Sequence, residues 1–190
     1  TLFIADQEKR ATTEDGCWKW PQGNAFYQFA LQNTTTTSLT HEEIFNIGQK
    51  EVARIQGEMT VIMKKVGFKG DLKAFFKHLQ ESPEFYYPND TVGKKAYLTD
   101  AERVINDMKA KLDSLFLTKP KADLIVKQVE PFREKSTAGA FYQEPAPDGS
   151  RPGIYYANTY DMKTLPKYEM DALAYHEAIP GHHMQLAIAQ

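Results

Sequence analysis

The longest helical pattern in the sequence runs from Thr40 to Val66 and reads THEEIFNIGQKEVARIQGEMTVIMKKV. It opens with a capping box, in which the hydroxyl of Thr40 and the carboxylate of Glu43 can satisfy free backbone N–H groups. Seven apolar residues then recur at helical spacing: Ile44, Ile47, Val52, Ile55, Met59, Met63 and Val66. The pattern predicts a long helix over residues 41–66.

Two more helical patterns follow towards the C-terminus. Residues 71–80 place Leu72, Phe75, Phe76 and Leu79 on one face, which predicts a short helix. Residues 99–117 begin with a second Thr-x-x-Glu pattern and carry a regular apolar stripe, so a long helix is predicted to start at Thr99. Before the long helix at 41–66, residues 1–37 are predicted to be irregular apart from a short helical stretch at 25–31.

Short strands are predicted where β-branched and aromatic residues cluster, over residues 124–129, 138–143 and 153–158. The connector at residues 144–152 is rich in Pro, Gly, Asp and Ser, so the last two strands are expected to form a hairpin or a mobile flap. The predicted fold class is therefore mainly α with a small β-sheet (α+β).

The composition excludes several classes of protein. The chain has 190 residues, 23 basic and 25 acidic side chains, and 42% hydrophobic residues. A nearly balanced charge does not favour a nucleic-acid partner, and no apolar run is long enough for a transmembrane segment. The single cysteine, Cys17, allows neither an internal disulfide nor a cysteine-based metal site.

The strongest functional signal lies near the C-terminus, in the stretch His176-Glu177-Ala178-Ile179-Pro180-Gly181-His182-His183. Imidazole nitrogens are good zinc ligands, and a catalytic zinc usually takes three protein ligands and an open position. A carboxylate next to such a site can act as general base, as in the helical His-Glu-x-x-His motif. We therefore expect a Zn²⁺ site with Glu177 as the catalytic base.

This stretch departs from the His-Glu-x-x-His spacing because Pro180 stands where the second histidine belongs. On an ideal helix His182 would lie about 120° around the axis from His176, and His183 about 10 Å further along it. Pro180 and Gly181 are expected to interrupt the helix and bring a second histidine towards His176. His176, His182 and His183 are the candidate metal ligands, with His182 modestly preferred over His183.

The sequence resembles a bacterial family described as "domain of unknown function 885". The resemblance is most specific over Asp148–Asp161, Thr164–Glu169 and His176–Gln185. It extends to Thr34–Thr40, Glu42–Ile55 and Gly67–Tyr87. It implies a helical, zincin-like metallopeptidase fold that is exported or lipid-anchored and acts on a peptide substrate. It also implies that residues 1–190 are a single piece of a larger catalytic domain. Both ends of the chain look truncated, and the third metal ligand is expected from the missing C-terminal part.

Four residues outside the histidine stretch are candidates for a role in peptide hydrolysis. Tyr156 is a candidate donor to the reaction's oxyanion. Tyr155 and Asn158 are candidate substrate-binding residues, since the strand at 153–158 would pair with a bound peptide if it lay at the sheet edge. Arg151 is a further candidate, because its guanidinium could bind a carboxylate such as a peptide C-terminus. The competing explanations are aromatic packing in a structural strand for Tyr155, Tyr156 and Asn158, and a solvated loop position for Arg151.

The sequence predicts a zinc-dependent peptidase that hydrolyses peptide bonds with metal-activated water, and the fragment alone is expected to be inactive. One alternative is a non-catalytic binding or scaffold protein with a degenerate metallopeptidase fold. Another is a metal hydrolase that acts on other bonds. Metal analysis of the full-length protein distinguishes the zinc peptidase from the non-catalytic scaffold. A comparison of peptide with ester substrates distinguishes the peptidase from other metal hydrolases.

Overall fold

The computed structural model describes residues 2–189. The helices are α1 (Leu2–Arg10), α2 (Gly23–Thr35), α3 (His41–Lys65), α4 (Leu72–Glu81), α5 (Thr91–Lys109), α6 (Leu112–Leu115), α7 (Met170–Glu177) and α8 (His182–Ala189). The strands are β1 (Leu124–Gln128), β2 (Ala140–Gln143) and β3 (Gly153–Ala157). The predicted fold class, mainly α with a small sheet, is confirmed. Within the described part of the chain, no helix is both long and apolar enough to cross a membrane.

The chain divides into two compact units, one through Leu72 and one from Lys73 onward. The first unit contains α1, α2 and the long α3. The predicted capping box of α3 is present, since Thr40 N–H donates to Glu43 Oε2 at 2.8 Å and Glu43 N–H donates to Thr40 Oγ1 at 3.2 Å. Helix α1 lies in a region predicted to be irregular, so that prediction is wrong.

Along α3 the apolar stripe is mostly open to solvent in the structure. Met63 is buried, whereas Ile47 and Val52 are about half exposed, at 48% and 52%. Helical spacing therefore predicted the helix correctly. Most apolar side chains of its stripe are nevertheless not covered by other described residues.

The second unit contains the sheet, whose strand order is β1-β3-β2. β3 pairs in parallel with β1, aligning Gly153 with Leu124, and antiparallel with β2, aligning Ala157 with Ala140. All five residues of β3 are buried. The expectation that this strand could lie at the edge is wrong, because it is hydrogen-bonded on both sides.

The side chains of β3 alternate between two apolar clusters, as in any strand. Tyr155 and Ala157 pack into the larger cluster, which includes Tyr97 and Val104 of α5 and Ala174 of α7. On the other face, Ile154 and Tyr156 form a smaller cluster with Val129 and Phe141. The larger cluster holds α5, α7 and α8 on one face of the sheet and so fixes where the histidine-rich segment lies.

Helix α5 starts eight residues earlier than predicted. Its N-cap is Asp90, whose Oδ1 accepts a hydrogen bond from Gly93 N–H at 2.8 Å. Thr99 lies inside the helix, so the Thr-x-x-Glu pattern there is not a capping box. The helix also ends at Lys109, and the predicted C-terminal part is the separate short α6.

Candidate metal centre

The histidine-rich segment forms two helices joined by a sharp turn. α7 ends at Glu177 and α8 begins at His182, and the Ile179–Pro180 peptide between them is cis. Across the turn, His183 N–H donates to the carbonyl of Ala178 at 3.1 Å. The predicted interruption near Pro180-Gly181 is therefore present.

Gly181 makes this turn possible because it lies against the end of α7. A Cβ at this position would overlap the carbonyl oxygens of His176 and Tyr175, far inside van der Waals contact. No residue with a side chain fits there without moving the backbone. Pro180 and Gly181 thus form a close turn between the end of α7 and the start of α8.

The turn brings together His176, Glu177 and His182. A ligand atom from each of the three lies within 4.8 Å of the others. The imidazoles of His176 and His182 are nearly perpendicular, with ring centroids 4.8 Å apart, and Glu177 Oε2 lies 3.9 Å from His182 Nε2. We call these three residues the His-Glu-His cluster.

The cluster is open to solvent on one side. His176 is exposed, the side chain of His182 is 40% exposed, and that of Glu177 is only 12% exposed. A small ligand can therefore reach the imidazoles, while the carboxylate is partly shielded from water.

The donor set fits a divalent transition metal. Imidazole nitrogens are typical zinc ligands, with bonds of about 2.0–2.1 Å, and a neighbouring carboxylate can serve as a ligand or lie beside the metal as a base. Tetrahedral geometry with such bonds separates neighbouring ligand atoms by roughly 3.3 Å. The three ligand atoms lie within 4.8 Å of one another, so they converge on the same small region.

His183, the other candidate second ligand, lies outside the cluster. Its side chain is 1% exposed, its Nδ1 lies 2.9 Å from the hydroxyl of Tyr142, and its Nε2 lies 3.1 Å from the carbonyl oxygen of Ala122. Burial lowers the pKa of its imidazole. Both ring nitrogens already have partners within the protein, so the geometry favours His182 over His183 as a ligand.

The two candidate tyrosines of β3 lie on opposite faces of the sheet. Tyr156 donates to Glu130 at 3.2 Å and stacks on Phe141, away from the face that carries α7 and α8. The structure therefore does not bring this predicted catalytic residue to the cluster. Tyr155 lies on the α7 face but is fully buried, and its hydroxyl is 3.4 Å from that of Tyr97. Burial raises the pKa of Tyr155, and the charge of Glu177 adds to that rise.

The other two candidates for substrate binding are also away from the cluster. The amide nitrogen of Asn158 donates to the carbonyls of Glu134 and Thr137, and its oxygen accepts from Tyr160 N–H. These hydrogen bonds give Asn158 a structural role at the end of β3. Arg151 is partly exposed and lines a surface cavity of about 780 Å³ whose walls do not include the His-Glu-His cluster.

Tyr142 of β2 is a site residue that sequence reasoning missed. Its ring lies nearly parallel to that of His182, at 24° and with centroids 6.4 Å apart, while its hydroxyl bonds to His183. Burial raises the pKa of this phenol to about 12. The chain has ten tyrosines, and nothing in the local pattern of residues 140–143 distinguishes this one.

The protein is mainly α with a small mixed sheet. Its histidine–carboxylate cluster lies at the turn between two short helices, α7 and α8. The chain belongs to the family described as "Bacterial protein of unknown function (DUF885)", whose model matches residues 2–190. No curated protein matches the sequence significantly.

A solved structure with a similar fold is described as "the putative lipoprotein from Colwellia psychrerythraea". It is 38% identical in sequence, with a TM-score of 0.82 over 95% of the present chain. The chain spans 31% of the length of that protein.

Proposed function

We propose that the chain carries part of the active site of a zinc-dependent peptidase. The observation that carries this proposal is the His-Glu-His cluster, whose donor atoms converge within 4.8 Å at a turn that only glycine permits. Two imidazoles and a carboxylate on one open surface are the side chains that metal-assisted hydrolysis uses. In the proposed arrangement His176 and His182 are metal ligands and a further ligand comes from elsewhere in the full-length protein.

Glu177 acts as general base in this proposal. Zinc, when bound, supplies a Lewis acid that lowers the pKa of water to about 7 and polarises a carbonyl oxygen. The carboxylate of Glu177 lies 3.9 Å from His182 and is largely shielded from solvent, so it is held beside the ligands. It takes a proton from the attacking water and can return it to the leaving amine.

An outer strand beside the cluster supports a peptide as the substrate. β2 has β3 on one side and no strand on its other side among residues 2–189. It also packs near α7, and its Tyr142 lies against His182. An extended peptide that added to this edge would run past the cluster and be held by its main-chain groups.

The proposed location of the full-length protein is the periplasm or the cell exterior, with a lipid anchor. The support is the description of the Colwellia psychrerythraea structure as a lipoprotein. An exported peptidase would act on extracellular or periplasmic peptides. Fractionation of cells that express the full-length protein, with and without globomycin-type inhibition of lipoprotein processing, tests this location.

The catalytic proposal is tested with three variants of the full-length protein: Glu177→Gln, His176→Ala and the control His41→Ala. Glu177→Gln should keep nearly all of its zinc and lose roughly 10²–10⁴-fold in turnover, because only the base is removed. His176→Ala should lose both zinc and activity. His41 is an exposed histidine in the other unit, so His41→Ala should change neither.

Zinc content is measured by elemental analysis and turnover with a mixture of unrelated peptides and matched esters. A wild-type protein that binds no zinc contradicts the proposal and favours the non-catalytic reading. Unchanged turnover in Glu177→Gln contradicts the role of base, and loss of zinc in that variant makes Glu177 a ligand instead. Cleavage of esters but not of peptides would indicate another class of hydrolase.

A further inference from the structure

His183 connects three segments that are far apart in sequence. Its Nε2 lies 3.1 Å from the carbonyl oxygen of Ala122, just before β1, and its Nδ1 lies 2.9 Å from the hydroxyl of Tyr142 in β2. The side chain is almost completely buried. We call the Tyr142 hydroxyl, the His183 imidazole and the Ala122 carbonyl the α8 clip.

The direction of both hydrogen bonds in the α8 clip follows from their chemistry. A carbonyl oxygen can only accept, so the proton of the imidazole lies on Nε2 and is donated to Ala122. A neutral imidazole carries one N–H, so Nδ1 accepts, and the hydroxyl of Tyr142 is the donor. The clip therefore fixes the tautomer and the orientation of His183 at the first turn of α8.

Gly153 provides the space for the clip. A Cβ at this position of β3 would lie 2.6 Å from His183 Nδ1 and 2.6 Å from the hydroxyl of Tyr142. Both distances are too short for a real carbon atom. The strand, the phenol and the imidazole thus pack together closely at the point where the hydrogen bond forms.

Tyr142 also contacts the neighbouring histidine. Its ring is at 24° to that of His182 with centroids 6.4 Å apart, and it meets the ring of His183 edge-on at 5.7 Å. One side chain therefore bonds to the buried histidine and lies beside the ring of the histidine in the cluster. The hydrogen bond of its hydroxyl to His183 holds in place the ring that lies beside His182.

We propose that Tyr142 is a positioning residue, which holds the imidazole of His182 in the orientation that the His-Glu-His cluster needs. This inference rests on the proposed function, because it assigns Tyr142 a role in metal binding. The α8 clip fixes the start of α8, and the Tyr142 ring restricts His182. Groups that orient a metal-binding histidine typically contribute about 10–100-fold to metal affinity.

The test compares Tyr142→Phe with the matched control Tyr86→Phe in the full-length protein. Each variant loses one phenolic hydroxyl, and that of Tyr86 bonds to the carbonyls of Leu79 and Gln80, outside the clip and the cluster. Zn²⁺ affinity is measured by chelator competition and the Co²⁺ form by its visible absorption spectrum. The ¹⁵N signals of the His183 ring report whether Nδ1 has lost its donor.

Tyr142→Phe is expected to shift the His183 Nδ1 signal, alter the Co²⁺ spectrum and weaken Zn²⁺ binding about tenfold, whereas Tyr86→Phe does none of these. The positioning role is overturned if both variants lose the same Zn²⁺ affinity. It is also overturned if Tyr142→Phe binds Zn²⁺ as tightly as a wild type that binds zinc. Either result leaves the proposed function intact. A wild-type protein that binds no zinc overturns both.

Discussion

Gly181 lies where the end of α7 leaves no room for a side chain. A Cβ there would overlap two carbonyl oxygens, so we expect Gly181→Ala to lower the free energy of unfolding by about 1–3 kcal/mol or more. Gly139→Ala is the matched control, because a Cβ at 139 would meet only ordinary contacts at 3.8 Å or beyond. Urea denaturation followed by circular dichroism measures both. Equal stability of the two variants would contradict the close approach at Gly181.

At the residue scale, the sequence named His176, Glu177, His182 and His183 as candidates and preferred His182 over His183 only modestly. Helical spacing and the Pro-Gly pair indicated a break, and the break is present. Which imidazole faces His176 depends on where β2 and the segment before β1 lie, since these hold His183. These contacts join residues that are far apart in the sequence, and local patterns do not reveal them. For the same reason the sequence did not identify Tyr142 as a site residue or Asn158 as a structural one.

The start of α5 gives a prediction at the scale of a single element. Asp90→Ala removes the side chain that caps this helix and should cost about 1 kcal/mol of stability. Thr99→Ala changes an exposed residue inside the helix, so it should cost nothing, because alanine has the higher helix propensity. Chemical denaturation of the two variants checks this. A greater loss for Thr99→Ala would restore the capping box predicted at residues 99–102.

Local patterns predicted well which segments form helices and strands. They predicted less well where each element begins and which elements are its neighbours. The three strands were predicted within two residues at either end. Their order was not, because alternation and β-branched residues do not specify neighbours, and β3 is central rather than an edge strand. The pattern at Thr99 failed because Thr and Glu three residues apart also occur inside helices, where they face the same side.

At the scale of the whole molecule, the two units differ in how their amides should exchange with solvent. Every residue of α1 is exposed, whereas every residue of β3 is buried and lies between two strands. Hydrogen-bonded amides of β3 should exchange roughly 10³-fold or more slowly than those of α1. Hydrogen–deuterium exchange with mass spectrometry measures this difference. Similar rates in both segments would contradict the central place of β3.

The fold class was predictable because amphipathic spacing occurs over most of the chain. The burial of each apolar stripe was not predictable from spacing alone, as the exposed residues of α3 illustrate. The predictions of one larger catalytic domain, of zinc and of peptide hydrolysis concern the full-length protein, and they stay predictions.

The α8 clip has a consequence for the order of folding. It joins partners 41 and 61 residues apart in sequence, and the parallel pairing of β1 with β3 is also non-local. Contacts of this kind form slowly, because the chain must close long loops before they contribute any stability. We therefore expect the hydrogen bonds of His183 to Tyr142 and Ala122 to form after the helices. His176 and His182 are joined by a local turn, so the residues of the His-Glu-His cluster can approach one another before these long loops close.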